Sequence, residues 1–425
     1  MSDTSRKTLV VIGAGPKGIA VAVKAKVMEE FDVPVDRVVL IERHSVGAHW
    51  SGEVGYTNGD MKLGTSPEKD VVFPIETDVG NEELNQKIRQ RLVDFSWISY
   101  LVQGQKYADW VDRGRPSPTH QLWSRYLKWV SKKLLPQVEI ISAEVKSIEI
   151  CNEQWVLHLS GPRECAMVAD GLMLTGPGKT RKEFDHQDVA CVYDLESFWC
   201  ALKNDKFKLS GRLAIVGAGE NAASVLLALS KMAPGLEIDV ISPKGFISTR
   251  AENYYENRFY SHPRENGWDA LELTDRTDFI RRTDLGVFSV EAMKTLNQED
   301  HHTIVPGRLV SLVKHLEEIR LDVGYAGKVT SRQYDQVILA TGFDQAQSLI
   351  SFFSEELING LEAQISAPLT QEELGKRIEQ DLSVDGIRPK LHLPMLAGIN
   401  QGPGFANLSC LGNLSDRILI KGTRL

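Results

Sequence analysis

Short apolar runs that end in glycine-rich turns occur twice in the chain. The first run, residues 9–12 (LVVI), predicts a buried strand and leads through GAGPKG into an apolar segment that can form a helix. The second run, residues 213–216 (LAIV), leads through GAGENA into another such segment. Because a buried strand, a tight glycine turn and a helix in this order form a dinucleotide-binding unit, the pattern predicts two of these units.

The first turn carries the full G-x-G-x-x-G fingerprint. Gly13 permits the tight turn, Gly15 lets the backbone approach a pyrophosphate, and Gly18 lets the helix pack against the strand. Pro16 lies inside the same turn, at the start of a helix whose free N–H groups favour phosphate. The next predicted strand, residues 37–41, ends in Glu42, an acid that suits a ribose hydroxyl.

The second turn lacks an acid at the position that corresponds to Glu42 of the first unit. Its following strand, residues 236–241, ends in Ser242, Pro243 and Lys244, and a hydroxyl with a cation suits a 2′-phosphate better than a bare ribose. We therefore predict FAD at the first turn and NADPH at the second, although Lys244 could equally be a solvated surface lysine. The residues predicted to contact NADPH are Gly217, Gly219, Glu220, Asn221, Ser242, Lys244 and Arg250.

The remaining pattern predicts an α/β protein with two dinucleotide-binding (Rossmann-like) domains and a small, mostly helical substrate region. Residues 48–74 are irregular but contain aromatic residues, of which Trp50 is predicted to contact FAD. Residues 84–135 have helical spacing, residues 138–175 alternate like strands, and GPG follows at 176–178. We expect an FAD domain over 1–205, an NADPH domain over 206–334 with a helical insertion at about 248–300, and a return to the FAD domain over 335–425.

Composition narrows the possible partners. The chain has 425 residues and a formal net charge of −8, which argues against nucleic acid. It has no apolar run of about 18 residues, so no membrane span is predicted. Its five cysteines show neither a C-x-x-C pair nor the spacing of a metal site. These features predict a cytoplasmic protein without a bound metal.

Two dinucleotide sites without a redox cysteine pair predict a particular flow of electrons. NADPH delivers hydride to the flavin, and the acceptor that remains for reduced flavin is O2 or a diffusible oxidant. Reduced flavin and O2 give a C4a-hydroperoxide, which transfers its distal oxygen to a nucleophile or attacks a carbonyl. The protein has to exclude water and position the substrate.

The chain resembles the flavin-dependent N-hydroxylating monooxygenases of siderophore biosynthesis, and among them the mycobactin-type L-lysine N6-hydroxylases. The shared features cover nearly the whole chain: GAGPKGIA, LGTSPEKDVVFP, GAGENAAS, ATGF and GPGFANLSCLGNLSD. The resemblance implies NADPH- and O2-dependent hydroxylation of the side-chain amine of free L-lysine, and a homotetramer. Hydroxamate siderophores use such products to bind iron.

The resemblance also implies roles for single residues. Lys69 and Asn257 fall on the positions that bind the substrate carboxylate, and Ser415 falls on a flavin-contacting serine. Asp284 stands where ornithine hydroxylases have an asparagine, and an acid there could hold the substrate α-ammonium. Gly64 replaces a glutamine of the ornithine enzymes. These two departures favour lysine as the substrate.

Several alternatives remain open at the level of sequence. Lys69 and Asp70 could form a simple surface ion pair. The same chemistry could act on L-ornithine or a diamine, and a related flavin monooxygenase could act on ketones or sulfides. A non-catalytic nucleotide-binding redox sensor is a further alternative. For any amine substrate, the nitrogen must be neutral to attack oxygen, and a water-poor pocket favours that form.

Overall fold

The computed structural model describes residues 6–160, 165–176, 178–181, 189–297, 302–315 and 318–420. Pro177 and residues 298–300, on which parts of the sequence predictions fall, lie outside them. The β-strands of the described residues are β1 (Thr8–Ile12), β2 (Arg37–Glu42), β3 (Glu139–Ser142), β4 (Glu144–Cys151), β5 (Gln154–Ser160), β6 (Cys165–Ala169), β7 (Gly171–Leu174), β8 (Lys179–Thr180), β9 (Val192–Asp194), β10 (Arg212–Val216), β11 (Glu237–Ser242), β12 (Ser248–Thr249), β13 (Val287–Phe288), β14 (His302–Pro306), β15 (Arg308–His315), β16 (Glu318–Tyr325), β17 (Lys328–Tyr334), β18 (Gln336–Leu339), β19 (Phe343–Asp344) and β20 (Lys390–His392).

Helices connect and cover these strands. They are α1 (Pro16–Glu30), α2 (Ala48–Ser51), α3 (Glu82–Leu92), α4 (Trp97–Gln103), α5 (Tyr107–Asp112), α6 (His120–Leu134), α7 (Leu195–Lys203), α8 (Glu220–Met232), α9 (Tyr254–Ser261), α10 (Leu273–Thr283), α11 (Val290–Leu296), α12 (Gln345–Ile350), α13 (Glu355–Ile365), α14 (Gln371–Lys376), α15 (Gly398–Gln401) and α16 (Leu411–Leu419). Nowhere in the described ranges is a helix both long and apolar enough to span a membrane.

Two parallel sheets form the framework, each built around one glycine turn. The first has the strand order β20-β7-β1-β2-β3, and the second has the order β14-β11-β10-β18-β9. The three central residues of β1 and all residues of β10 except Arg212 are buried, as expected for parallel strands that helices cover on both faces. The two sheets confirm the predicted α/β fold with two Rossmann-like units.

Two strands lie in a different unit from the one that the predicted boundaries imply. The predicted boundaries put β9 in the first domain, over 1–205, and β18 in the returning segment, over 335–425. Both strands nevertheless pair in the second sheet. Each is short, and its place depends on a partner distant in sequence, which local patterning does not reveal. The chain passes between the sheets near β8 and β19, and these two strands pair with each other. The finer division into domains stays a prediction.

The C-terminal helix α16 packs against α1 and brings the end of the chain back to the first glycine turn. Lys24 of α1 forms a buried ion pair with Asp416 of α16 at 2.7 Å, and the same ammonium donates to the carbonyl of Glu76. Such a pair is costly to break because one partner would be left charged and buried. It therefore fixes the segment that leads into α16 beside the turn.

Candidate active site

A cavity of about 690 Å³ lies where the two units meet. Its wall includes the first glycine turn, the irregular segment after β2, the start of α8 and the stretch before α16. A volume of this size falls within the range of roughly 300–1,000 Å³ that is usual for cofactor and ligand pockets. The first sheet meets the cavity at the carboxyl ends of its strands, where open α/β sheets bind ligands.

The first turn has the geometry of a dinucleotide cradle. Gly13 has a φ of +106°, and a Cβ there would stand 2.2 Å from Thr175 Oγ1. A Cβ on Gly18 would stand 2.2 Å from the carbonyl oxygen of Gly13, so only glycine lets α1 come this close. Gly15 lines the cavity, and a Cβ there would have no atom of the described residues within 4 Å. This open approach fits a pyrophosphate at the start of α1.

Glu42 and Pro16 also line the cavity, as expected for an FAD site. The carboxylate of Glu42 accepts hydrogen bonds from the backbone N–H of Ala14 and of His44, each at 3.0 Å. These contacts fix the carboxylate at the end of β2, and its remaining lone pairs can accept from ribose hydroxyls.

Trp50 belongs to an aromatic group on the same wall. Its ring meets His120 edge-on at 4.8 Å between centroids, and Tyr56 lies beside it at 6.5 Å. His120 is buried, and burial lowers its pKa to about 4, so the ring is neutral at pH 7. Its Nδ1 lies 3.1 Å from the hydroxyl of Thr57. The group presents a rigid, neutral surface to the cavity.

The second turn is less open than the first. A Cβ on Gly217, which has a φ of +124°, would stand 2.3 Å from the carbonyl oxygen of Ala340. A Cβ on Gly219 would lie 3.9 Å from the backbone of Gly286, so this loop stands in front of the turn. Gly217 and Gly219 are absent from the cavity wall among the described residues, whereas Glu220 and Asn221 lie on it.

The predicted 2′-phosphate contacts are only partly supported. Ser242 is buried at the end of β11, and its hydroxyl donates to the carbonyl of Phe246 at 2.9 Å. In this structure the hydroxyl of Ser242 is therefore occupied within the protein, and its contact with a phosphate stays a prediction. Lys244 is half-buried. Its role in NADPH binding stays a prediction.

Lys69 and Asn257 come together although they are distant in sequence. Lys69 Nζ donates to Asn257 Oδ1 at 2.7 Å, and Asn257 Nδ2 donates to the carbonyl of Glu252 at 3.0 Å. A capping box at the start of α9 holds Asn257 in place. Burial lowers the pKa of Lys69, whereas the charge of Glu252 raises it. Neither side chain is on the cavity wall, whereas Arg250, whose charge also lowers the pKa of Lys69, is on it.

Asp70 does not pair with Lys69, so the surface ion pair considered from the sequence is absent. Its carboxylate accepts from the backbone N–H of Val72 at 3.0 Å and of Trp97 at 2.6 Å. Burial raises the pKa of Asp70 to about 7 against the effect of these bonds. Asp70 thereby anchors the irregular loop and leaves the ammonium of Lys69 directed at Asn257.

Asp284 and Arg250 form an ion pair with each other. Asp284 is the residue after α10, and Arg250 follows β12, which pairs with β13 directly after the Asp284 loop. The carboxylate predicted to hold a substrate α-ammonium and the guanidinium predicted to contact NADPH thus neutralise each other in this structure. Their separate roles stay predictions.

Ser415 is also placed differently from the prediction. It is buried inside α16, and its hydroxyl donates to the carbonyl oxygens of Leu411 at 2.7 Å and Gly412 at 3.1 Å. It does not line the cavity, whereas Asn407 and Ser409 of the preceding segment do. The motif identified the correct segment but not which serine faces the cavity.

Lys17 is a cavity residue that the sequence predictions missed. Its Nζ donates to the carbonyl of Ala406 at 3.0 Å, and burial lowers its pKa to about 8. The signal was present in the sequence, because a lysine within an otherwise apolar helix start is unusual. Within the described ranges, no group of three or more His, Cys, Asp or Glu side chains is arranged to hold a metal ion.

Comparison with known proteins gives consistent matches. The family described as L-lysine 6-monooxygenase/L-ornithine 5-monooxygenase matches residues 88–345. The L-lysine N6-monooxygenase MbtG of Mycolicibacterium paratuberculosis is 39% identical over 416 residues, which cover 97% of this chain and 95% of that protein. The protein of the same name from Mycobacterium sp. (strain MCS) is 40% identical, with 97% and 94% covered.

A solved structure agrees with these relatives. It is that of the lysine monooxygenase NbtG from Nocardia farcinica, described as having an unprecedented NADPH domain conformation. It superposes with a TM-score of 0.85 at 37% identity and covers 98% of this chain and all of that one.

Proposed function

The chain belongs to the L-lysine 6-monooxygenase/L-ornithine 5-monooxygenase family, and we propose that it hydroxylates the side-chain amine of free L-lysine at N6. The reaction uses FAD, NADPH and O2 and yields N6-hydroxylysine, NADP⁺ and water. The observation that carries the proposal is identity of 39% over nearly the full length with proteins named for this reaction. The product suits a pathway that builds hydroxamate siderophores.

The first turn and its surroundings fit FAD. Gly15 leaves room for the pyrophosphate, the N-terminus of α1 offers backbone donors, and Glu42 can accept from the ribose. FAD, when bound, supplies the chemistry that takes hydride from NADPH and activates O2. Trp50 and His120 form a wall that excludes water, and exclusion of water strengthens every electrostatic contact in the cavity.

Lys69 and Asn257 are proposed to hold the substrate carboxylate. In this structure the half-buried ammonium of Lys69 has a neutral amide as its hydrogen-bond partner, although an ammonium has three donors. An anion is therefore the ligand that Lys69 best accommodates, and the bond is charge-assisted. Asn257 can donate to the same carboxylate once its bond to Glu252 is exchanged.

Lysine is favoured over the alternative substrates. Each of the three similar proteins is named for lysine, and the family name includes ornithine as well. A free amino acid also explains why a half-buried cation lies near Arg250 of the cavity wall, whereas a diamine has no carboxylate to pair with Lys69. The cytoplasmic location, the tetramer and the use of O2 stay predictions.

The test is product formation by the purified, FAD-loaded protein. With NADPH, isotopically labelled O2 and L-lysine, we expect a lysine product that carries one labelled oxygen on the side-chain nitrogen. NADPH consumption should rise when lysine is added. A colourless protein that neither binds FAD nor oxidises NADPH would support the redox-sensor alternative and contradict the proposal.

A further inference from the structure

Glu220 is a buried acid on the cavity wall whose side chain is only half satisfied. It begins α8 directly after the second glycine turn. Its Oε2 accepts a hydrogen bond from the backbone N–H of Ser289 at 2.7 Å. Its Oε1 is buried and has no hydrogen-bond partner within the described part of the chain. A buried carboxylate oxygen without a donor is costly, so a ligand that brings one is expected there.

The free oxygen lies against the loop that carries Lys69. Oε1 lies 3.0 Å from where a Cβ would stand on Gly64, and Ser289 Cβ lies 3.1 Å from the same point. The absence of a side chain at Gly64 therefore leaves room for the carboxylate. Gly64 precedes Lys69 by only five residues. The acid on the cavity wall thus lies against one end of this short loop, and Lys69, which is not on that wall, lies at the other end.

The charges around Glu220 come from the second unit. The charge of Arg250 lowers the pKa of Glu220 and that of Asp284 raises it. The charge of Glu220 in turn raises the pKa of Glu252. Because Arg250 is already paired with Asp284, it neutralises Glu220 only in part. The site therefore keeps an acid that a cationic ligand would satisfy.

The reactants of the proposed function differ sharply in charge. FAD and NADPH bring phosphates and neutral O–H and N–H donors, O2 is neutral, and the side-chain ammonium of lysine is the cation among them, with three donors. We propose that Glu220 receives the side-chain amino group of the substrate at Oε1 and takes its proton before oxygen transfer. This inference rests on the proposed function, since it takes lysine as the substrate.

The transfer of a proton from the substrate ammonium to the Glu220 carboxylate needs no other reactant. One N–H bond of the ammonium breaks, its two electrons remain on nitrogen as a lone pair, and the proton goes to Oε1 to give a carboxylic acid and a neutral amine. In water the proton would stay on nitrogen, because an amine has a pKa of about 10.4 and Glu one of about 4.3. Burial raises the pKa of Glu220, and it lowers the pKa of the amine because it disfavours the ammonium as well. The two pKa values therefore become more similar.

Glu220→Gln tests the inference because it keeps the shape and removes the basicity. Because Glu220 is also among the residues predicted to contact NADPH, flavin reduction is measured separately on the FAD-loaded protein. We expect kcat/KM for lysine to fall on the order of 100-fold at neutral pH, as for the loss of a general base, and by far more than the rate of flavin reduction by NADPH. The remaining activity should rise toward alkaline pH, where lysine is already neutral. NADPH oxidation should continue without hydroxylamine.

Two further variants show whether the effect of Glu220→Gln is specific to the carboxylate on the cavity wall. Glu291→Gln makes the same substitution at a half-buried acid outside the cavity wall, and it should behave like the parent. Gly64→Ala should push the carboxylate aside and reproduce part of the Glu220→Gln effect. In Glu220→Gln, a fall in flavin reduction as large as the fall in lysine hydroxylation, or an unchanged pH profile, would overturn the inference. A parent that does not hydroxylate lysine would instead refute the proposed function itself.

Discussion

Replacing Gly15 or Gly18 by alanine should separate cofactor binding from folding. The two positions differ by three residues in the same turn, yet a methyl group would meet open space at Gly15 and a carbonyl oxygen at 2.2 Å at Gly18. Gly15 has φ −81° and ψ −173°, an extended conformation that alanine also adopts before proline. Gly15→Ala should therefore leave the stability of the apoprotein within about 1 kcal/mol of the parent.

The same methyl group should weaken FAD binding, because it takes the space where the backbone meets the pyrophosphate. Loss of one hydrogen bond to a charged group costs about 1.5–3 kcal/mol. At 1.4 kcal/mol for each factor of ten, the Kd for FAD should rise about 10-fold to 100-fold. Gly18→Ala should instead destabilise the apoprotein by about 1–3 kcal/mol or more, since α1 must move away from the turn.

The assay is a titration of deflavinated protein with FAD, combined with thermal unfolding of the apoprotein. Gly15→Ala should show a parent-like Tm and weak FAD binding, and Gly18→Ala should show a lowered Tm. Parent-like FAD affinity in Gly15→Ala would refute the assignment of the first turn as the FAD cradle. NADPH affinity should change less than FAD affinity in either variant.

Three other perturbations have defined outcomes. Lys69→Ala should abolish lysine hydroxylation while NADPH oxidation and peroxide release continue, and Asn257→Ala should do so more mildly; loss of flavin reduction would contradict this role. Lys244→Ala should narrow the preference for NADPH over NADH in flavin reduction, and an unchanged ratio would place the 2′-phosphate elsewhere. The folded protein holds His120 neutral, with a pKa of about 4, whereas the pKa of His120 in the unfolded chain is about 6.5. The contribution of neutral His120 to the unfolding free energy is therefore fully present above about pH 6.5 and is lost as pH falls toward about 4. Between about pH 7.5 and about pH 5 the parent should lose about 2 kcal/mol more unfolding free energy than His120→Gln, measured in urea.

The parts of the fold that could be predicted are those that short stretches of sequence specify. A buried strand, a glycine turn and a helix are adjacent in the chain, so the roles of Gly13 and Gly18 follow from local geometry. The contact between Lys69 and Asn257 joins residues 188 apart and was expected only through the family resemblance. No pattern within either segment predicts that they meet.

The errors concern contacts that depend on tertiary packing. The pairing of Arg250 with Asp284 arises because β12 lies next to β13, a short sheet with little pattern of its own. The motif around Ser415 predicts that this serine contacts the flavin. Its position on α16, however, directs the side chain into the core. The loop of Gly286 in front of Gly219 likewise depends on how distant segments pack.

Hydroxylamine formation measured side by side with L-lysine, L-ornithine, cadaverine and putrescine tests the central claim most directly. Each amine is supplied to the FAD-loaded protein with NADPH and O2, and the yield is expressed per NADPH consumed. We predict that L-lysine gives the highest kcat/KM and the tightest coupling, because the diamines have no carboxylate for Lys69 and the similar proteins are named for lysine rather than ornithine. If cadaverine or L-ornithine outcompetes L-lysine, the assignment of lysine as the substrate is wrong.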